Sequence, residues 1–166
     1  WFQDPEVIQN LGAPMAPYNL ADETAWYEAE QKKPIDERAM SIWLVDKEKG
    51  TEKLIGNCGF HAIDQKNRSG EIGLLIGDKT EWNKGYGREA VQFLIWHGFY
   101  NLNLHRVWLR VHSPNKRGIK AYENAGMKLD GILREAHFQE GHYVDVHIMS
   151  ILRTEWDDPK EKEVLV

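Results

Sequence analysis

The chain has 166 residues, of which 42% are hydrophobic and 28% are charged, and its formal net charge at pH 7 is −5. This composition excludes a disordered chain, and the length fits one domain. No segment approaches the roughly 20 consecutive apolar residues of a membrane-spanning helix, so no membrane partner is predicted. No export leader is recognisable, and the single Cys58 excludes an internal disulfide, so we expect a soluble cytoplasmic protein.

The net charge conceals a division along the sequence. Residues 84–128 hold eight basic and two acidic residues, out of 21 basic and 26 acidic residues in the chain. This segment therefore carries +6 and the remainder −11. The division favours an anionic ligand at the basic segment, although a lysine-rich solvated helix face would explain it as well. The overall acidity predicts no nucleic-acid partner.

Helix signals occur at four places. Asp4 is the expected cap of a short first helix, which Gly12 and Pro14 would end, and Asp22 is the candidate cap of the second. Two further segments have apolar residues at helical spacing. The longer predicted helices cover 22–32, 85–100 and 116–124.

The strand signals alternate with these helices. The predicted strands cover 38–46, 53–63, 71–77, 105–112, 127–138 and 142–152. Gly56 and Gly59 mark bulges or close approaches in the second strand. The pattern predicts a single α/β domain with a mixed sheet over residues 1–156, followed by a charged, frayed tail at 157–166.

A glycine pair stands where the third strand leads into a helix. Gly85 and Gly87 let backbone N–H groups approach a ligand, and the helix N-terminus adds free donors, which together favour pyrophosphate. The dinucleotide fingerprint lacks its third glycine because position 90 is alanine, and no Gly-Lys-Ser/Thr closes a P-loop. The pair alone is a weak signal.

Two blocks of residues make the signal specific. Residues 82–87, Trp-Asn-Lys-Gly-Tyr-Gly, match Gln/Arg-x-x-Gly-x-Gly/Ala except at the first position. The later block follows Asn-x-x-small-x-x-x-Tyr-x-x-x-Gly-apolar, at Asn115, Gly118, Tyr122, Gly126 and Met127. With these blocks the chain resembles the GNAT superfamily of acetyl-CoA-dependent N-acetyltransferases. Residues 4–7 and 133–156 resemble its ribosomal-protein alanine acetyltransferase branch, and the family's first strand has no counterpart.

The resemblance implies a GNAT-like fold, α/β or α+β by some schemes. Its central mixed sheet is mostly antiparallel, contains a splayed parallel strand pair and is flanked by helices. The implied cosubstrate is acetyl-CoA, and the implied reaction is direct acetyl transfer to a primary amine. The acceptor is a protein or peptide N-terminus or a small amine, with a polyamine or aminoglycoside as the alternative. A non-catalytic CoA-binding or sensor domain is the competing function, and a homodimer is left open.

The resemblance also implies roles for individual residues. Tyr122 is the implied general acid and Glu71 the implied general base, acting directly or through water. Trp82, His137 and Asp145 are weaker candidates for acceptor contact. The residues implied to hold acetyl-CoA are Leu74, Leu75, Ile76, Lys84, Gly85, Tyr86, Gly87, Arg88, Asn115, Lys116, Arg117 and Lys120.

Several of these residues have simpler structural explanations. Tyr122 would pack a helix onto the sheet, Asn115 would cap that helix, and Glu71 would be an ordinary exposed acid. A backbone N–H near Leu75 is the implied oxyanion donor. The seven histidines have no tight ligand spacing, so no metal is predicted, and no neighbouring motif activates Cys58 as a nucleophile.

Overall fold

The computed structural model describes residues 1–11 and 19–157, so the expected stop signals Gly12 and Pro14 and most of the predicted tail lie outside the described residues. Within those ranges the chain forms four α-helices and six strands in the predicted order. The helices are α1 (Pro5–Ile8), α2 (Leu20–Lys32), α3 (Tyr86–Tyr100) and α4 (Lys116–Asn124). The strands are β1 (Met40–Asp46), β2 (Thr51–Asp64), β3 (Ser69–Ile76), β4 (Arg106–His112), β5 (Lys128–Gln139) and β6 (His142–Leu152).

The six strands form one mixed sheet, as predicted. Their spatial order is β1-β2-β3-β4-β6-β5. The neighbours pair antiparallel except for β3 and β4, which run parallel on either side of α3 in the chain. The parallel pair therefore lies in the middle of the sheet, where α3 connects its two strands.

The core lies between α3 and one face of the sheet. Val91, Leu94 and Phe99 of α3 are fully buried against Phe60 and Val107. Each such side chain stabilises the fold by roughly 1.5–3 kcal/mol through its removal from water. The apolar stripe of α3 thus fixes the helix, and with it the position of its N-terminus at the end of β3.

Cys58 belongs to this core. It is buried, and burial raises the pKa of its thiol to about 11. The thiol is therefore protonated at neutral pH, which agrees with the expectation that it is not a nucleophile.

The start of α2 differs from the prediction. The cap is Asn19, whose side chain accepts hydrogen bonds from the Ala21 and Asp22 N–H groups. Asp22 instead lies inside the helix and accepts from the Asn19 N–H at 3.1 Å. The prediction of Asp22 as the cap is wrong because the two residues form a reciprocal capping box, in which the acid occupies the third helical position.

Both glycines singled out in β2 have the expected close contacts. The register with β1 shifts beside Gly56, and an added Cβ there would lie 2.0 Å from the Leu75 carbonyl oxygen. A Cβ on Gly59 would lie 3.2 Å from the Arg38 carbonyl oxygen. The shift against β3, however, falls between Phe60 and Ala62. His61 is therefore the bulged residue, a position that re-aims a side chain.

Candidate functional site

The central feature of the site is a cleft between β3 and β4. The two strands pair only over Ser69–Glu71 and Arg106–Trp108. Beyond Glu71 and Trp108 they diverge, and a cavity of about 1150 Å³ lies between them, the start of α3 and α4. The short pairing leaves backbone groups of β3 directed toward this gap.

The register of β3 decides which backbone groups those are. The Gly77 N–H donates to the Ile55 carbonyl of β2 at 2.9 Å. Because backbone groups alternate along an antiparallel pair, Leu75, which lies opposite Asn57, also directs its N–H toward β2. The N–H groups of Leu74 and Ile76 face the gap instead. These two N–H groups are therefore the candidates for the predicted oxyanion donor near Leu75.

The N-terminus of α3 lies at the end of the cleft. The preceding loop reverses through Asn83 at φ +63° and Gly85 at φ +95°, a conformation that favours glycine at the second position. Gly85 caps the helix without a side-chain hydrogen bond. The N–H groups of Tyr86, Gly87 and Arg88 are free of intrahelical partners, as in any first turn. This cradle fits a phosphate-bearing ligand.

Lys84 has a structural partner within the loop. Its ammonium lies 2.9 Å from Glu81, and Lys53 lies 2.9 Å from the same carboxyl group. Hydrogen bonds from Lys84 and Lys53 lower the pKa of the buried Glu81 carboxyl. Lys84 therefore anchors the loop through its side chain and can offer a ligand its backbone N–H.

Trp82 braces the same loop. Its indole N–H donates to the Ile76 carbonyl at 2.7 Å, and the Arg117 guanidinium lies 3.6 Å from the centre of its ring. This cation–π contact joins the loop to the first turn of α4. Trp82 lines the cleft, but these contacts place it at the phosphate cradle, and its expected acceptor contact stays a prediction.

The first turn of α4 is built on Asn115. Its side chain accepts from the Gly118 N–H at 2.9 Å, which confirms the expected cap, and the residue also lines the cleft. A Cβ on Gly118 would lie 2.6 Å from the Asn115 carboxamide. Glycine at this position thus leaves room for the cap. Lys116 and Lys120 are exposed on the same helix and line the cleft beside it.

Tyr122 lines the cleft from α4. Its ring packs against the core next to Ile119, which confirms the packing role. Burial raises the pKa of its phenol to about 12. Tyr122 is therefore a protonated hydrogen-bond donor at the cleft over the whole physiological pH range.

The sheet face opposite α3 carries the charged residues of the cleft. Glu71 is not an ordinary exposed acid: its side chain is only 12% exposed. Arg110 donates from Nε to Glu71 Oε1 at 2.7 Å. His61, turned by its bulge, lies over Gly73, since a Cβ on Gly73 would be 1.9 Å from His61 Nε2. Desolvation lowers the pKa of His61, so the ring is a neutral neighbour of the ion pair.

A second group on this face is a stacked histidine pair. The rings of His112 and His137 lie 4.0 Å apart, centre to centre, and both residues line the cleft. Burial lowers the pKa of His112, and its Nδ1 is buried with no partner among the described residues. The structure thus places His137 in the cleft, as its expected acceptor contact requires.

Asp145 lies beside this pair but has a structural partner. Its Oδ1 accepts from the Glu135 N–H at 2.9 Å. Glu135 has φ +51° and lies where the β5–β6 register is interrupted, between Leu133 and His137. Asp145 therefore holds this irregular segment of β5, and the cavity lining does not include it.

The cleft also contains three side chains that were not predicted from the sequence, namely those of Arg110, His112 and His61. A signal for the first two was present, because Val107, Leu109 and Val111 define one apolar face of β4 and leave alternate residues on the other. No signal marked His61, whose direction depends on the bulge.

The described part of the chain contains neither a membrane-spanning helix nor a metal-binding cluster. No helix there combines the length and apolar character needed to cross a bilayer. Residues 1–11 and 19–157 contain no group of three or more His, Cys, Asp or Glu side chains arranged to hold a metal ion.

The glycine cradle, the diverging parallel strands and the Tyr122 helix agree with the family comparison. Residues 1–128 match the acetyltransferase (GNAT) domain. The chain belongs to this family. A solved GNAT structure, spermidine N-acetyltransferase from Vibrio cholerae in complex with CoA and spermine, has the same fold, with a TM-score of 0.78 and 23% identity. The match covers 93% of this chain and 86% of that one.

Curated relatives of this GNAT chain differ in their acceptors. An uncharacterized N-acetyltransferase, p20 of Bacillus licheniformis, is 40% identical over 108 residues, or 65% of this chain and 60% of p20. The chain thus matches less than two thirds of the length of p20. The spermidine N(1)-acetyltransferase of Vibrio cholerae is 31% identical over 84% of this chain and 78% of its own length. The relatives also include a ribosomal-protein-serine acetyltransferase of Escherichia coli, so the ribosomal-protein branch is not singled out.

Proposed function

We propose that this protein transfers an acetyl group from acetyl-CoA directly to a primary amine. The observation that carries the proposal is the coincidence of three features at one cleft. These are the diverging β3 and β4, the free first turn of α3 and the protonated phenol of Tyr122. Family membership and the CoA complex of the similar Vibrio cholerae enzyme support the same reading.

The cosubstrate fits the donors that the cleft provides. The first-turn N–H groups of α3 bind the pyrophosphate, and Lys116, Arg117 and Lys120 supply positive charge for the ribose phosphate. Asn115 holds the start of α4 beside the pantetheine arm. Acetyl-CoA supplies the activated thioester, so the chain has to position it and move two protons.

The chain's own groups account for these steps. One of the two gap-facing N–H groups, that of Leu74 or that of Ile76, donates to the thioester oxygen as negative charge develops there, and one such donor is worth on the order of 10²–10³ in rate. Glu71 accepts a proton from the acceptor ammonium, directly or through water, because an ammonium with a pKa near 10 cannot attack a carbonyl. Tyr122 donates its proton to the departing thiolate and regains one from the attacking nitrogen, which loses its second proton as the amide forms.

The acceptor is a primary amine of one of two kinds. Resemblance to the ribosomal-protein acetyltransferases favours the α-amine of a protein or peptide. The spermidine acetyltransferase relative favours a polyamine. A non-catalytic CoA-binding domain is the competing function, and the presence of both Tyr122 and Glu71 in the cleft argues against it.

The test is an assay of thiol release from acetyl-CoA with a panel of primary amines, peptides included. We expect acetyl-CoA to raise the melting temperature and at least one amine to release free CoA thiol. Tyr122→Phe should lower kcat by roughly 10²–10⁴ and leave the acetyl-CoA-induced shift in melting temperature unchanged, because only the proton donor is lost. An unchanged kcat would reduce Tyr122 to a packing residue, and binding without turnover by any amine would favour the sensor reading.

A further inference from the structure

The described lining of the cleft has few carboxylates that are free to pair with a cationic acceptor. Among the described residues, Glu71 and Glu81 are the acids that line the cleft. Glu81 is buried and bonded to both Lys53 and Lys84, so it is not available to a further cation. Among the described lining residues, an acceptor with several positive charges would thus meet one available carboxylate, Glu71, which is already paired with Arg110.

Hydrogen-bond donors, in contrast, are available on the same face. Arg110 uses Nε for Glu71, and no other described residue is bonded to its guanidinium, which leaves its Nη donors. Its side chain is 59% exposed and lines the cleft. His112, two residues further along β4, also lines the cleft. Such donors are complementary to an oxygen atom and repel a further ammonium.

We infer, on the basis of the proposed function, that the acceptor amine carries an oxygen atom close to its nitrogen and that Arg110 binds this oxygen. The α-amino-acyl end of a peptide has this chemistry, because its ammonium and its carbonyl oxygen are separated by two carbon atoms. Glu71 faces the ammonium, and the adjacent guanidinium faces the carbonyl. A polyamine has no such oxygen and would bring additional positive charge next to Arg110. Arg110 is thus a specificity-determining residue.

Steady-state thiol release with three acceptors tests this inference. The acceptors are short amidated peptides with different first residues and free α-amines, spermidine, and an unbranched alkylamine. We expect the wild-type kcat/KM for the best peptide to exceed that for spermidine and for the alkylamine. Arg110→Gln should lower the peptide value roughly 10- to 100-fold, the usual loss of a charge-assisted hydrogen bond. The other two values should stay the same within about threefold or rise as Glu71 is released.

Arg106→Gln is the matched control. Arg106 lies on the same strand, donates from Nη2 to Asp130 at 2.6 Å and is not among the cleft-lining residues. Its substitution should leave all three kcat/KM values within about threefold of wild type. Both variants should keep the melting-temperature shift produced by acetyl-CoA, which shows that each is folded and binds the cosubstrate.

The possible failures are distinct. Wild-type preference for spermidine, or an equal loss for all three acceptors in Arg110→Gln, would overturn the inference and leave the proposed function standing. If no amine released thiol with the wild-type protein, the proposed function would fail, and this inference with it.

Discussion

Burial of a single phenol sets what Tyr122 can do. Because its pKa is raised to about 12, the phenol stays protonated at every pH at which the enzyme would work. Packing and proton donation are thus compatible, since the same burial that fixes the ring also keeps its proton. The Tyr122 phenol is thus a weaker acid than a free tyrosine. The base that it would protonate is the thiolate that forms as CoA leaves.

The raised pKa can be measured by an absorbance titration of tyrosinate. We expect wild type and Tyr122→Phe to ionise equally up to about pH 11 and to differ by one tyrosine only near pH 12. The fold stabilises the protonated form, so this contribution to stability is complete below the unfolded pKa of about 10 and is lost as pH rises through 12. A difference that titrates near pH 10 would show that the phenol is solvated.

At the scale of elements, the loop before α3 depends on one left-handed residue. Gly85→Ala should cost about 1 kcal/mol of stability, because φ +95° is unfavourable for a residue with a Cβ. It should also weaken acetyl-CoA binding, since the first-turn N–H groups are re-aimed. Thermal shift with and without acetyl-CoA separates the two effects.

Gly50→Ala provides the matched comparison. Gly50 has φ +63° in the β1–β2 turn, and nothing lies within 4 Å of an added Cβ. It should lose similar stability and keep the full acetyl-CoA shift. Equal loss of the shift in both variants would contradict the role given to Gly85.

The order of helices and strands and the phosphate cradle could be predicted from local sequence. Turn glycines, helix caps and apolar periodicity depend on a few neighbouring residues. The turn at Gly85, the cap at Asn115 and the apolar stripe of α3 could therefore be predicted. The Glu71–Arg110 pair could not be predicted, because it joins residues 39 positions apart in the chain and depends on the parallel register of β3 and β4. The direction of the His61 side chain depends on the bulge, and the choice between the N–H groups near Leu75 depends on how β3 pairs with β2.

At the scale of the whole molecule, the basic residues of segment 84–128 include some that line the cleft and others that form ion pairs outside it. Arg88, Lys116 and Lys120 converge on the cleft from two helices. Arg106 and Lys128 instead pair with Asp130 and Glu155, outside the cavity lining. The net +6 of the segment therefore overstates the charge that a ligand meets.

Because β3 and β4 pair at only three positions, the sheet consists of two three-stranded halves, β1-β2-β3 and β4-β6-β5, joined by a short hydrogen-bonded contact. A cosubstrate in the gap would bridge the two halves of the sheet as an added strand does. Its hydrogen bonds to backbone N–H groups of β3 can therefore be measured by amide hydrogen exchange. Acetyl-CoA should slow exchange at Leu74 and Ile76 and leave Leu75, bonded across to β2, unchanged. Slower exchange at Leu75 alone would show that the Leu75 N–H, and not those of Leu74 and Ile76, faces the gap. Bound acetyl-CoA would thus make the two halves of the sheet unfold as one cooperative unit.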